Sequence, residues 1–251
     1  MHLGLVTYNV AKEWDIEKII TTLGPLGFEA VELRSTHAHG VEPGISPERI
    51  QQVRDRFNAS DVRLLSLGSA CEFQSPDAAV RRENIERASA FIELAHDLGC
   101  LGVKVRPNGL PEGVPEQTTI QRIGESLAEC GAIGQRYGVE VWVEVHGQAT
   151  KEPSRMRAIM DACGHEQVGV CWNCNDTDVK NGSVRESFEL LKDHIMNVHL
   201  RDLYQYPSRE LFGLLKGIGY ERYLLMETAT SCEPERYLSY VKALFDEMQR
   251  G

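Results

Sequence analysis

Short apolar runs alternate with longer amphipathic segments along the whole chain. Eight runs rich in β-branched residues have the length and pattern of buried strands, at residues 3–9, 28–34, 62–68, 101–107, 139–145, 167–173, 195–201 and 222–228. The segments between and after them show helical spacing of apolar residues, at roughly 15–24, 46–59, 76–98, 116–137, 152–163, 183–193, 207–217 and 234–249. The pattern therefore predicts eight strands that alternate with eight helices.

Capping and turn residues support these boundaries. Ser46-Pro47 and Ser75-Pro76 each place a hydroxyl before a proline, which is typical of a helix start. The stretches DLGC, RYGVE and GIGYER put a glycine just past a predicted helix end. Eight strand–helix units of about 31 residues predict an α/β fold, a single (β/α)₈ TIM barrel domain over residues 1–251. A doubly wound open sheet usually has fewer units and a glycine-rich first turn, which this sequence lacks.

Composition and charge narrow the classes of partner. The formal net charge is −10, which argues against a nucleic-acid backbone as the ligand. No apolar run reaches the ~18–20 residues that cross a bilayer, and the first ten residues lack the features of a signal peptide. Seven cysteines lie scattered through core-like segments, as a reducing compartment permits. These features predict a cytoplasmic protein that binds neither nucleic acid nor membrane.

Polar side chains lie on one face of several predicted strands, crowded toward their carboxyl ends. Because side chains alternate along a strand, every second residue shares a face. The polar face carries Glu32 and Arg34, Lys104 and Arg106, Trp142, Glu144 and His146, Cys171 and Asn173, Asn197, His199 and Arg201, and Glu227. Barrel enzymes build their active sites at the carboxyl ends of the strands, so we expect a site there. Trp142 either fills the barrel or stacks on a ring of the ligand.

Four of these residues recur once per strand–helix unit. Glu144, Asn173, His199 and Glu227 are separated by 29, 26 and 28 residues, which puts them at similar heights on four consecutive strands. Two carboxylates, an imidazole and an amide oxygen would together suit a divalent cation. The alternative is an interior ion network in which these groups pair with Arg34, Lys104, Arg106 and Arg201. Spacing alone leaves both interpretations open.

The motifs around these residues resemble a known family. VWVEVHG, VGVCWNCND, NVHLRD and LLMET, in this order, with VELR…HAHGVEP and LGSACEF earlier, resemble the xylose isomerase-like barrels of the sugar phosphate isomerase/epimerase superfamily. The resemblance covers nearly the whole chain. It implies a divalent metal cofactor (Mn²⁺, Mg²⁺, Co²⁺ or Zn²⁺) on Glu144, Asn173, His199 and Glu227. The four motifs together indicate fold and metal, but they indicate little about the substrate.

The octapeptide GVCWNCND, residues 169–176, departs from the family pattern. The family usually has Asp where this chain has Asn173, and His where it has Asp176. Asn is a neutral oxygen ligand, so we expect a more electrophilic but more loosely held metal. Alternatively, Asp176 or Asp178 completes the coordination shell, or the site has lost its metal.

The resemblance also implies a reaction and roles for residues. A metal-dependent isomerase or epimerase, or a related dehydratase, would act on a sugar or inositol-derived ketone through an enediolate. Glu144 and Glu227 would be the catalytic acid and base. The remaining candidates bind substrate: His37, His39, Lys104, Arg106, His146 and Arg201. We expect Arg106 and Arg201 to polarise the carbonyl or to bind an anionic group, and the lack of a phosphate-binding loop slightly favours an unphosphorylated substrate.

Other interpretations are weaker. Cys171 and Cys174 match C-x-x-C, but neither a helix start nor a second pair accompanies them, so the match is read as coincidence. Residues 106–117 predict a rigid surface loop, with a lid as the alternative. Tyr204 could equally serve a subunit contact in a homo-oligomer.

Two further functions remain, a non-catalytic or metal-free sugar-binding protein and an abasic-site endonuclease; the acidic charge and the missing His at 176 count against the endonuclease.

Overall fold

A computed structural model describes residues 1–250 and contains eight parallel strands that close into a barrel. The strands follow the predicted apolar runs: β1 His2–Val6, β2 Ala30–Arg34, β3 Arg63–Glu72, β4 Gly102–Arg106, β5 Glu140–Glu144, β6 Val168–Asn173, β7 Ile195–Leu200 and β8 Tyr223–Met226. Each strand pairs with its sequence neighbour, and β8 pairs with β1. Eight parallel strands joined by helices form a TIM barrel, which confirms the predicted fold class.

Helices follow the strands and cover the outside of the barrel. They are α1 Ile16–Leu23, α2 Pro47–Asn58, α3 Ala78–Leu98, α4 Glu116–Tyr137, α5 Pro153–Cys163, α6 Arg185–Leu191, α7 Ser208–Gly217 and α8 Pro234–Arg250. Their apolar faces join the outward faces of the strands in one large buried cluster. None of the helices in residues 1–250 combines the length and apolarity needed to span a membrane.

Local chemistry explains where prediction and structure differ. Strand β1 ends at Val6 rather than Asn9, because Asn9 has a positive φ of 53° and begins a short 3₁₀ helix. Helix α3 begins at Ala78, two residues later than predicted, since the carboxylate of Asp77 accepts a hydrogen bond from the Ala79 amide and caps the helix. Strand β3 runs on to Glu72, whose backbone still pairs with Arg106 of β4.

The lower half of the barrel interior is packed with apolar side chains. It contains Val6, Ala30, Leu65, Trp142, Cys171 and Leu225. Trp142 is 1% exposed and its Nε1 donates to Glu140 at the amino end of β5, 2.7 Å away. A Cβ on Gly102 would lie 2.5 Å from the Trp142 ring, so only glycine fits beside the indole. Of the two interpretations of Trp142, the structure supports barrel filling. This layer closes the barrel below the polar site.

Candidate active site

The side chains predicted from the last four strands meet at the carboxyl end of the barrel. Glu144, His199 and Glu227 each offer a ligand atom, and these atoms lie within 4.8 Å of one another. Asn173 Nδ2 donates to Glu144 Oε1 at 3.0 Å. Asn173 also faces His199 in register across β6 and β7. The one-per-unit spacing in the sequence thus brings all four side chains into a single cluster.

Two unpartnered atoms in this cluster fit a cation. Asn173 Oδ1 and His199 Nδ1 are buried, and neither has a hydrogen-bond partner within residues 1–250. His199 Nδ1 is 4.0 Å from Glu144 Oε1. A buried acceptor without a partner costs free energy, which coordination to a metal would recover. These two atoms and the carboxylates of Glu144 and Glu227 form a donor set of the kind that hard or borderline divalent cations prefer.

An ion pair occupies one side of the same cluster. Lys104 Nζ donates to Glu144 Oε2 at 2.9 Å, and the side chains are 3% and 4% exposed. Arg201 Nε is 3.9 Å from Glu227 Oε2, while Arg106 lies nearest to Glu72, at 3.7 Å. The structure therefore contains one close pair of the ion network that the sequence left open, between Lys104 and Glu144. Lys104 balances the charge of Glu144, whereas Arg201 approaches Glu227 less closely.

The two carboxylates have opposite pKa shifts. Burial alone would raise the pKa of Glu144, but the positive charges of Lys104, His199 and His146 together lower it to about 2. Burial raises the pKa of Glu227, and repulsion from Glu144 adds to the rise. Paired groups whose environments separate their pKa values are the arrangement expected of a base and an acid. Glu144 is thus the ionised member, and Glu227 is the member that holds a proton more readily.

A third carboxylate lies behind His199. Glu32 is fully buried; its Oε2 accepts from Ser66 Oγ at 2.9 Å and lies 3.4 Å from His199 Nε2. Burial opposes its charge, yet His199 and Lys104 lower the pKa of Glu32 below its ordinary value. A Cβ on Gly68 would lie 2.6 Å from Glu32 Oε1, so glycine leaves room for this carboxylate. Glu32 fixes the ring of His199 with Nδ1 toward the cluster, as carboxylates often do for metal-binding histidines.

A cavity opens above the cluster. Its volume is about 100 Å³, and it is lined by Tyr8, Arg34, Lys104, Arg106, Glu144, His146, Arg201 and Glu227. A second cleft of about 290 Å³ shares Tyr8, Arg201 and Glu227 and extends toward Tyr237. Four of the predicted substrate-binding residues therefore share one cavity with both predicted catalytic glutamates. The sequence did not single out Tyr8, which lies just past the end of β1, or Tyr237, which lies in the first turn of α8, because neither belongs to the polar face of a strand.

The three histidines predicted to bind substrate lie in different surroundings. His146 lines the cavity, and its Nδ1 is 3.0 Å from Asn108 Oδ1 in the loop after β4. His37 is bonded through Nδ1 to Thr7 Oγ1 at 3.0 Å, and its ring stacks beside Tyr8. His39 is 2% exposed; its Nε2 lies 2.9 Å from the Arg34 carbonyl and its Nδ1 accepts from the Val41 amide at 3.0 Å. His39 thus holds the loop after β2 and has no free ring nitrogen.

The loop after β4 is anchored beside this cavity at its start. Asn108, which has a positive φ of 66°, donates from Nδ2 to Glu72 in addition to its contact with His146. Pro107 and Gly109 on either side are buried, while the middle of the loop, at Glu112 and Gly113, is exposed. The anchored start agrees with the predicted rigid loop.

The end of GVCWNCND has a structural role. Asn175 Nδ2 donates to the Val145 carbonyl at 2.7 Å, and the Asn175 amide donates to Asp178 Oδ2 at 2.7 Å. Asp178 also accepts from Tyr206 OH at 3.0 Å, and Asp176 is exposed. The expectation that Asp176 or Asp178 completes the metal shell is therefore not met in this structure. The side chains of Asn175 and Asp178 instead form hydrogen bonds that hold the start of the 3₁₀ helix Asp176–Asp178 in place.

Several solved barrels resemble this chain at low identity. A D-psicose 3-epimerase from Clostridium cellulolyticum H10, solved with D-tagatose, matches with a TM-score of 0.83 and 14% identity over 100% of this chain and 99% of that one. The IOLI protein, solved with a zinc atom, gives 0.82 and 15% over 99% and 98%. The 3-keto-D-glucoside 4-epimerase YcjR from E. coli gives 0.80 and 13% over 100% of both chains. At these identities the likeness establishes the fold.

A family model establishes the wider relationship. The model described as "Xylose isomerase-like TIM barrel" matches residues 25–245, which is most of the chain. The match includes seven of the eight strands and all four residues of the cluster. It agrees with the resemblance carried by the motifs of β5 to β8. The chain therefore belongs to the xylose isomerase-like TIM barrel family.

Proposed function

We propose that this protein is a divalent-metal-dependent isomerase or epimerase that moves a proton at a carbon next to the ketone of a sugar or polyol. The observation that carries the proposal is the cluster of Glu144, His199 and Glu227, whose ligand atoms lie within 4.8 Å of one another below an open cavity. The solved epimerases of the same fold support the reaction class.

The proposed roles follow from charge and position. Glu144, with its low pKa, is ionised at neutral pH and accepts the proton from the carbon. Glu227, the second carboxylate that lines the cavity, returns a proton to the substrate. A divalent cation held by Glu144, Asn173 Oδ1, His199 Nδ1 and Glu227 would stabilise the negative charge that develops on the ketone oxygen. His146 and Arg201, which line the cavity, would orient the hydroxyl groups and the carbonyl.

Proton exchange with solvent tests the proposal. The protein is incubated with Mn²⁺ and a panel of keto-sugars and keto-inositols in D₂O, and NMR and mass spectrometry follow deuterium at the carbon beside the carbonyl. We expect deuterium incorporation into at least one ketone. Glu227→Gln should reduce the exchange by at least about 100-fold, the lower range for loss of a general acid–base group. Glu86→Gln, at an exposed position on α3, is the matched control and should keep the wild-type rate.

Two outcomes would overturn this assignment. Exchange that persists in Glu227→Gln would remove Glu227 from the acid–base pair. No exchange with any ketone, in protein that carries metal, would favour a non-catalytic sugar-binding role. One observation favours that alternative: Lys104 already provides a cation 2.9 Å from Glu144, so this carboxylate has a partner without metal.

A further inference from the structure

Positive side chains outnumber acids around the cavity, although the protein as a whole is strongly acidic. Arg34, Lys104, Arg106 and Arg201 line the cavity, against the two carboxylates of Glu144 and Glu227. The chain carries a net charge of −10. A local excess of cations in a protein of opposite overall charge is a focused potential that attracts an anion.

Two of the arginines lack a close carboxylate partner. Arg34 Nη1 donates to Ser35 Oγ at 2.8 Å and to the Gly68 carbonyl at 3.4 Å, and no carboxylate oxygen within residues 1–250 comes within 4.0 Å of its guanidinium. Arg201 reaches a carboxylate only at 3.9 Å, on Glu227, and half of its side chain is exposed. Both guanidinium groups therefore keep hydrogen-bond donors for a ligand.

Arg106 provides a more specific sign of a missing acceptor. Its Nη2 donates to the Ala70 carbonyl at 3.3 Å and lies 3.7 Å from Glu72 Oε2, which holds the side chain in place. Its Nε is buried and has no hydrogen-bond partner within the described residues. A buried, charged donor without an acceptor is costly. An anionic oxygen in the cavity would satisfy this donor, and guanidinium groups bind carboxylate and phosphate through such paired donors.

We propose that the substrate is an anionic keto-sugar, in which a carboxylate or phosphate group binds to Arg34, Arg106 and Arg201 while the ketone faces Glu144 and Glu227. This inference rests on the proposed function and names the substrate class of the same site. A cavity of about 100 Å³ holds only about three waters' volume. The reacting carbons and the anionic group therefore fill it, and the rest of the sugar extends into the adjoining cleft.

Binding measurements on Mn²⁺-loaded protein test the inference. Isothermal titration compares D-fructose with 5-keto-D-gluconate and with D-fructose 6-phosphate at low and high salt. We expect at least one anion to bind at least 10-fold more tightly than the neutral ketose, and the advantage to shrink as salt rises. The carboxylate and phosphate arms identify which group the arginines accept.

Arginine variants locate the binding site. Arg34→Gln and Arg106→Gln should each reduce the advantage of the anion about 10-fold, measured as the ratio of its affinity to that of D-fructose in the same variant. Arg106→Lys keeps the charge but loses the paired donors, so its anion advantage should lie between that of the wild type and that of Arg106→Gln. Arg136→Gln, at the exposed end of α4 on the opposite side of the barrel, is the control. Thermal melting of each variant checks that it is folded, and the salt dependence of the wild type provides a measurement that needs no variant.

The outcomes separate this inference from the proposed function. Neutral ketose that binds as tightly as both anions, or an anion advantage that survives both glutamine variants, would overturn the inference. Proton exchange only with neutral ketones would also overturn it while the proposed function stands. Arginine-dependent anion binding without proton exchange on any ketone would keep the anion site and remove the proposed reaction.

Discussion

Among single residues, some buried polar atoms of the site have hydrogen-bond partners and others have none. Glu144 has both oxygens engaged, by Asn173 and by Lys104. Asn173 Oδ1 and His199 Nδ1, in contrast, are buried without partners in the described chain. The first arrangement stabilises the site without metal, whereas the second is satisfied only by a ligand. Where the family pattern has Asp, this chain has Asn173. An amide that donates a hydrogen bond to Glu144 therefore takes the place of a third carboxylate.

Asp178 makes the stability of the protein depend on pH. It is 2% exposed, and burial raises its pKa to about 7 from an ordinary value of 3.8. The native state therefore keeps a proton that the unfolded chain releases above pH 4. The contribution of Asp178 to stability is greatest below pH 4 and falls as pH rises to about 7, by up to ~1.4 kcal/mol per pH unit.

Replacement of Asp178 by Asn isolates this effect. Asn keeps an oxygen that can accept from the Asn175 amide and from Tyr206, but it does not ionise. Urea unfolding at intervals from pH 4.5 to 7.5 should therefore show a flatter pH dependence for Asp178→Asn than for the wild type. The exposed Asp176→Asn serves as the control. Parallel pH profiles of wild type and Asp178→Asn would show that this carboxyl ionises in the native state without cost. The range avoids pH values below 4.5, where the unfolded chain binds a proton on Glu144 that the native state, with its lower pKa, does not, so that stability falls.

At the scale of elements, close packing between helices depends on glycine at defined positions. A Cβ on Gly124 of α4 would lie 2.6 Å from Ala162 Cβ and 2.9 Å from the Cys163 amide nitrogen of α5. A Cβ on Gly213, exposed on α7, meets nothing within 4 Å. The same substitution therefore has opposite consequences in the two helices.

The matched pair of variants tests this packing. Gly124→Ala should destabilise the protein by ~1–3 kcal/mol, because α4 and α5 must move apart. Gly213→Ala should stabilise it by ~0.5–1 kcal/mol, since alanine has the higher helix propensity. Chemical denaturation of both variants measures the difference. Equal effects of the two substitutions would contradict the close approach of α4 and α5.

Secondary structure and the cluster were predictable from the sequence, whereas some residues of the site were not. Buried strands and amphipathic helices were predictable to within a few residues, because burial imposes a period on each. The four residues of the cluster were predictable because one strand–helix unit separates each from the next. Tyr8 and Tyr237 were not, since Tyr8 lies just past the end of β1 and Tyr237 lies on helix α8, outside the polar faces of the strands. The position of Glu32 behind His199 depends on an irregular register between β2 and β3, which alternation of side chains does not reveal.

At the scale of the whole molecule, charge is divided between surface and site. The chain as a whole has a net charge of −10, whereas the cavity is lined by more arginine and lysine side chains than carboxylates. The lower barrel is closed by Trp142 and its apolar neighbours, so a ligand reaches the cluster only from the carboxyl end. The fold thus places one accessible polar site above a closed core, and we expect this site to bind one divalent ion.

Titration of the metal-free protein with Mn²⁺, followed by electron paramagnetic resonance of the free ion, measures this binding. We predict about one ion per chain. Asn173→Asp, which supplies a third carboxylate, should bind Mn²⁺ about 10-fold more tightly, and Glu227→Gln should bind it more weakly, with Glu86→Gln as the unchanged control. A protein that binds no Mn²⁺, or an isotherm that neither Asn173→Asp nor Glu227→Gln alters, would contradict a metal centre built from these residues.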